Sequence, residues 1–162
     1  MSIAKIKTLS LNPHFYALLM HAFLSGYQNP CRLQYLFMAI PILLHTDTRT
    51  KLATANINST LDTLFPIVNT DSDNNISGKA KFAGFVERYN YLKPYCKQAI
   101  IILGSNNIIA IKNRNITIRY SLDYKKCTGK LKKWTRCAYY LGLIFAKATE
   151  SHLSFYLGVN TK

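Results

Sequence analysis

Nine bases fall between Lys112 and Arg136: Lys112, Arg114, Arg119, Lys125, Lys126, Lys130, Lys132, Lys133 and Arg136. Asp123 is the one acid of that stretch, and Tyr120, Tyr124 and Trp134 are interleaved. Lysine and arginine at this density neutralise phosphates and release condensed counterions. The pattern supports contact with a nucleic-acid backbone and offers no base-reading code. Two other surroundings answer the same composition, an acidic protein surface or water alone.

Other candidate chemistry is thin. His14 and His21 stand two helical turns apart, too far to share an ion without further ligands, and Cys127 and Cys137 lack a His or Cys at ligand spacing. The run Asp71-Ser72-Asp73-Asn74-Asn75 starts like a calcium loop. It has Ile76 where glycine is needed and Phe82 where a bidentate glutamate belongs, so it reads as a turn cluster. Seven acids in the whole chain, with no close pair on an expected strand, leave little for a metal-dependent nuclease. No GxSxG, Walker loop or HExxH is present. The expectation is a chain with no catalytic residues, no metal and no cofactor.

The charge is divided unevenly. The 162 residues carry 21 Lys and Arg against 7 Asp and Glu, a net charge of +14, with 49% apolar and 17% charged residues. Residues 1–78 hold five of the bases and four of the acids; residues 79–162 hold sixteen bases against Glu87, Asp123 and Glu150. A compact fold repels itself at this charge, so the second half is written to meet a polyanion, and the first to pack. The opening run MSIAKIKTLSLNPHF has no apolar leader core, and Leu33–Leu44 is too short for a bilayer. Cys31, Cys96, Cys127 and Cys137 form no CxxC pair and read as reduced thiols. The expectation is a soluble cytoplasmic protein with no membrane contact.

The elements that must position these bases are mostly helical. Asn12-Pro13 opens a helix with Phe15, Leu18, Leu19, Ala22 and Phe23 on one face, and Gly26 reads as its stop. A second helix carries Leu33, Leu36, Phe37, Ile40 and Leu44, apolar nearly all round and bent at Pro41. A turn over Asp47–Leu52 and a weak helix at Leu61, Leu64 and Phe65 follow. Residues 68–78 are turn formers and read as a linker, dividing a helical packing and docking region (1–67) from a basic region (79–162). In the latter, a helix through Phe82–Leu92, a second opened by Pro94 and stopped by Gly104, and a hairpin of Ile108–Lys112 with Ile116–Tyr120 give the order of a winged helix-turn-helix. The last helix, about Lys130–Thr149, aligns Leu131, Trp134, Ala138, Leu141 and Phe145 on one face as a partner-docking stripe. Lys132, Lys133, Arg136 and Lys147 lie opposite. The fold class expected is mainly α with a small β-hairpin, an α+β chain.

Several stretches together resemble a family. Asn12-Pro13-His14-Phe15-Tyr16-Ala17-Leu18-Leu19, then Phe23–Gln28, then the Leu36–His45 run LFMAIPILLH resemble the start of middle components of three-component ABC ATPase (ABC-3C) systems. Phe85–Leu103, Ala138-x-x-Leu141-Gly142 and Leu157-Gly158-Val159 look like the second half of the same family. Such systems, the Lamassu type among them, are similar to bacterial defence operons against phage and plasmids. The resemblance implies a small non-catalytic subunit that joins an SMC/Rad50-like ATPase to an effector, often a nuclease, in a hetero-oligomer. It brings no catalytic residues. The charge of the second half exceeds what bridging requires, which adds double-stranded DNA to the expected partners. The alternative is a stand-alone winged-helix DNA-binding transcriptional regulator.

Overall fold

The computed structural model describes residues 11–28, 30–66 and 82–158. The linker read at 68–78 and the calcium-like acidic run lie outside the described residues. In chain order the elements are α1 (Pro13–Tyr27), β1 (Cys31–Arg32), α2 (Leu33–Leu44), α3 (Thr46–Leu52) and α4 (Leu61–Leu64). They are followed by α5 (Phe85–Ser105), β2 (Ile109–Lys112), β3 (Asn115–Ile118), a 3-10 turn (Tyr124–Lys126), α6 (Gly129–Lys147) and α7 (Glu150–Leu157). The chain is mostly helical, with a small antiparallel sheet in the order β1-β3-β2.

Local chemistry accounts for the start of α1. The Asn12 side chain accepts the His14 amide at 2.9 Å, and Pro13 occupies a position with no amide to satisfy. Its end differs from the sequence reading. The helix runs through Gly26 and closes at Gln28, whose left-handed backbone (φ 69°) lets its amide reach the Leu24 carbonyl at 3.0 Å. Gly26 serves packing instead. A Cβ there would lie 1.9 Å from the Tyr139 carbonyl oxygen of α6, and one on Gly142 would lie 2.0 Å from the Phe23 carbonyl oxygen of α1. The two helices therefore touch backbone to backbone at two reciprocal glycines. Around that crossing Phe23 meets Phe145 edge-on at 5.3 Å, and Leu19, Ala138 and Leu141 are buried.

Helix α2 is the innermost element, with every residue from Tyr35 to Leu43 buried and Pro41 inside it, as its all-round apolar sequence dictates. Its last carbonyls are covered from α3. Arg49 donates to the Leu43 and Leu44 carbonyls at 3.0 and 3.2 Å, and buried Thr48 donates to His45 at 3.0 Å. The stretch expected as a turn is thus a short helix that caps its predecessor.

The helix-turn-helix is not formed. The segments on either side of Pro94 are one helix of 21 residues, α5. A proline inside a helix costs about 3 kcal/mol through one lost hydrogen bond and a clash. Here Pro94 and Asn90, whose carbonyl loses its partner, are both exposed, so water can satisfy the group. On the opposite face Tyr89, Leu92, Cys96, Ala99, Ile100 and Leu103 are buried. At roughly 1.5–3 kcal/mol per large apolar side chain, that burial outweighs the proline.

The hairpin forms, with Lys112 paired to Asn115 across a two-residue turn. Both turn residues are left-handed, Asn113 at φ 52° and Arg114 at φ 64°, the conformation that matches the twist of tight hairpins. Arginine there costs about 1 kcal/mol relative to glycine. A third strand, β1, joins through Cys31 and Arg32 opposite Ile116 and Asn115, and the Leu33 amide donates to the Arg114 carbonyl at 2.9 Å. The first half of the chain thereby completes the sheet of the second, and one apolar cluster spans both. No helix among the described residues is long and apolar enough to cross a membrane.

Gly26, Gly104 and Gly142, all with helical backbone, predict opposite outcomes for one substitution. Gly26→Ala and Gly142→Ala must push the helices apart and are expected to lose about 3 kcal/mol or more. Gly104→Ala, with nothing within 4 Å of the added carbon, should gain about 0.5–1 kcal/mol from helix propensity. Urea unfolding of the three variants beside the wild type measures both signs.

Candidate nucleic-acid interface

The nine bases of residues 112–136 are placed by the hairpin, the 3-10 turn and α6. Lys112 ends β2 and Arg114 sits in the hairpin turn. Arg119 follows β3, its amide held by the Ile108 carbonyl at 2.8 Å. Lys125 and Lys126 lie in the 3-10 turn, where Asp123 accepts the Lys125 amide at 2.9 Å. Lys130, Lys132 and Lys133 belong to the first turns of α6, and Arg136 follows one turn later. All are exposed except Arg136, which is half-buried.

They do not form one patch of equals. Lys130 and Lys133 line a groove of about 340 Å³ with Arg49 and Trp134. Arg114 lines another of about 560 Å³ with Arg32, Lys93 and Tyr89. Lys125 lines a third of about 360 Å³ with Tyr124, Tyr139 and Tyr140. Sequence reasoning missed Arg32, Arg49 and Lys93, because tertiary folding alone carries them to these grooves. Arg32 also pairs with Glu150.

The start of α6 is electrostatically unusual. Its first turn has no acid, Thr128 makes no side-chain capping bond, and the helix opens on Gly129 at φ 58°. Lysines near the positive end of a helix dipole each cost about 0.3–1 kcal/mol, and an anion placed there reverses the sign.

Arg136 has a structural role the sequence did not reveal. Its guanidinium donates to the Ala53 and Ala55 carbonyls at 3.1 and 2.8 Å and lies 4.6 Å over the Tyr140 ring. Lys147 likewise donates to the Ser59 carbonyl at 3.1 Å. These two cations hold the α3–α4 connection onto α6 and are spent on the fold.

The stripe expected to dock a partner is largely occupied by the chain itself. Ala138, Leu141 and Phe145 are at most 1% exposed, buried within the chain's own core. Periodicity shows that a helix face is covered, not what covers it. Leu131 remains 46% exposed. Trp134 is half-buried, with Phe15 edge-on at 5.3 Å and the Arg49 guanidinium 4.2 Å over its ring.

Burial pushes the Cys31 and Cys96 thiols up to about 12 and raises that of Cys137. These three stay neutral and are poor nucleophiles. Among the described residues no three His, Cys, Asp or Glu side chains gather to hold a metal ion.

The division between structural and surface bases is measurable. Arg136→Ala should cost about 2 kcal/mol, the range for hydrogen bonds made by a charged donor. Lys132→Ala should leave stability unchanged or raise it by up to about 1 kcal/mol. Thermal or urea unfolding compares the two.

Comparison with known proteins places this arrangement. No curated protein matches the chain, and no solved structure does. A family model does, and it covers residues 1–161, both the packed helices and the basic hairpin-and-helix region. The chain belongs to the Middle Component 3 family of ABC-three component (ABC-3C) systems.

Proposed function

We propose that this middle component is the non-catalytic subunit that joins an SMC/Rad50-like ABC ATPase to an effector nuclease in a cytoplasmic, Lamassu-like defence complex against phage and plasmids. In that hetero-oligomer it contributes sequence-independent contacts to double-stranded DNA. The observation that carries the DNA part is the start of α6: Lys130, Lys132 and Lys133 are exposed, unpaired by any acid of that turn, and set where the helix dipole favours an anion. Lys112, Arg114, Arg119, Lys125 and Lys126 extend the same exposed charge along the hairpin and the 3-10 turn. Arg114 supports the reading from another side, since a cation is kept at a turn position where glycine would be more stable.

Such contacts go to phosphates and fix no sequence. Docking on the protein partners falls to what the fold leaves outside, Leu131 and the outer part of Trp134. No cofactor enters this role. The continuous α5 removes the helix-turn-helix on which a stand-alone regulator would depend.

The test is duplex binding by the assembled complex at several salt concentrations, wild type beside a Lys130→Ala, Lys132→Ala, Lys133→Ala variant. Each neutralised phosphate contributes about 0.9 to the slope of log affinity against log salt, so the slope should flatten by up to about 3, equally for unrelated sequences. The complex should still assemble. Unchanged DNA binding with loss of assembly would identify the face as a docking surface for an acidic protein.

A further inference from the structure

The pocket beside Lys125 differs from the other two grooves in its rings. Tyr124, from the 3-10 turn, lies 5.2 Å from Tyr139 and 6.2 Å from Tyr140 of α6. Tyr139 and Tyr140 meet edge-on at 5.4 Å. The three are half-buried and pack largely on one another at the edge of the core. The Tyr124 and Tyr140 hydroxyls are 3.5 Å apart, which helps to keep Tyr124 protonated.

The walls are fixed before any ligand arrives. The Leu122 amide donates to the Ser25 hydroxyl at 2.8 Å, and that hydroxyl donates to the His21 carbonyl at 2.7 Å. The His21 ring nitrogen lies 2.9 Å from the Tyr120 carbonyl. The segment leaving the hairpin is thus tied to α1, and a site held in this way loses little entropy on binding. Gln28 also lines the pocket, from its left-handed position at the end of α1.

We propose that this pocket receives one unpaired nucleobase of a single-stranded or frayed nucleic acid, its ring against Tyr124 and Tyr139 and its phosphate on Lys125 and Lys126. The proposal rests on the nucleic-acid reading of the basic face and adds a second mode to it. A volume of about 360 Å³ admits one base and excludes a duplex. Rings beside cations suit a ligand that is flat and apolar at one end and anionic at the other, and tyrosine stacks every base. Asp123 and Gln28 supply polar edges, and the carboxylate accepts from the exocyclic amine of cytosine, adenine or guanine. Thymine has no such amine.

The experiment titrates the full chain with a short single strand carrying 2-aminopurine, whose emission is quenched on stacking, and with a blunt duplex. The wild type should quench the probe and bind oligo-dC more tightly than oligo-dT. Tyr124→Ala should weaken single-strand binding about tenfold and leave duplex binding unchanged. Tyr124→Phe, which keeps the ring, should bind within about twofold of wild type. Tyr124 lies in the 3-10 turn, outside both helices of the α1–α6 crossing, and the duplex titration reports whether the variant is folded. Duplex binding without quenching, or equal loss of single strand and duplex in Tyr124→Ala, overturns the pocket and leaves the phosphate-binding face standing. Absence of binding to either form overturns both.

Discussion

Helices α1 and α6 touch backbone to backbone, and the rest of the molecule is arranged around that contact. Gly26 and Gly142 permit it reciprocally, each facing a peptide of the other helix where a Cβ would come within about 2 Å of a carbonyl oxygen. Glycine inside a helix costs about 0.5–1 kcal/mol, and the fold accepts that cost twice. In return Leu19, Phe23, Ala138, Leu141 and Phe145 interdigitate with almost no exposed surface. The crossing also positions the candidate interface. It fixes the lysines at the start of α6 relative to α1, and α1 in turn holds the segment following the hairpin through His21 and Ser25. A change in the helix separation would move every candidate phosphate contact on α6 relative to the hairpin.

Charge and stability are set against each other in this chain. Sixteen bases against three acids in residues 79–162 repel one another in a compact fold. Two of them, Arg136 and Lys147, turn that liability into structure by binding the carbonyls of the α3–α4 connection. The lysines at the start of α6 and the arginine of the hairpin turn do the opposite, since each occupies a position where the isolated fold would be more stable without it. Residues kept at a cost to stability mark places where something other than folding is served. For a subunit of a multi-component ABC system, an anionic partner is the simplest source of the compensating energy.

Legibility in the sequence followed the range of the interactions. Asn12-Pro13 announces α1 because capping is decided within three residues, and the hairpin is visible because its β-branched runs and turn are adjacent. The apolar faces of α1, α2 and α6 are readable from period alone. Gly26 misleads because the same residue type serves helix ends and close helix contacts, and only the partner helix tells them apart. Pro94 misleads for a related reason: the burial of Leu92, Cys96 and Ala99 that carries the helix through it is tertiary. β1 has two residues and no periodicity, so it exists only by pairing with β3. At the candidate interface the charge itself was legible. The diversion of Arg136 to backbone carbonyls, the recruitment of Arg49 from α3 and the tyrosine pocket were not, since each joins residues distant in sequence and drawn from more than one element.

We infer that the α1–α6 crossing makes the two halves of the chain one cooperative unit. Native-state amide hydrogen exchange tests it most directly, because it reports the opening free energy of each helix separately. The slowest amides of Pro13–Tyr27 and Gly129–Lys147 should exchange through a single opening, with equal free energies and the same dependence on urea. Exchange of the α6 amides through a smaller opening that leaves α1 protected would show that the two helices open independently and that the crossing does not join the halves.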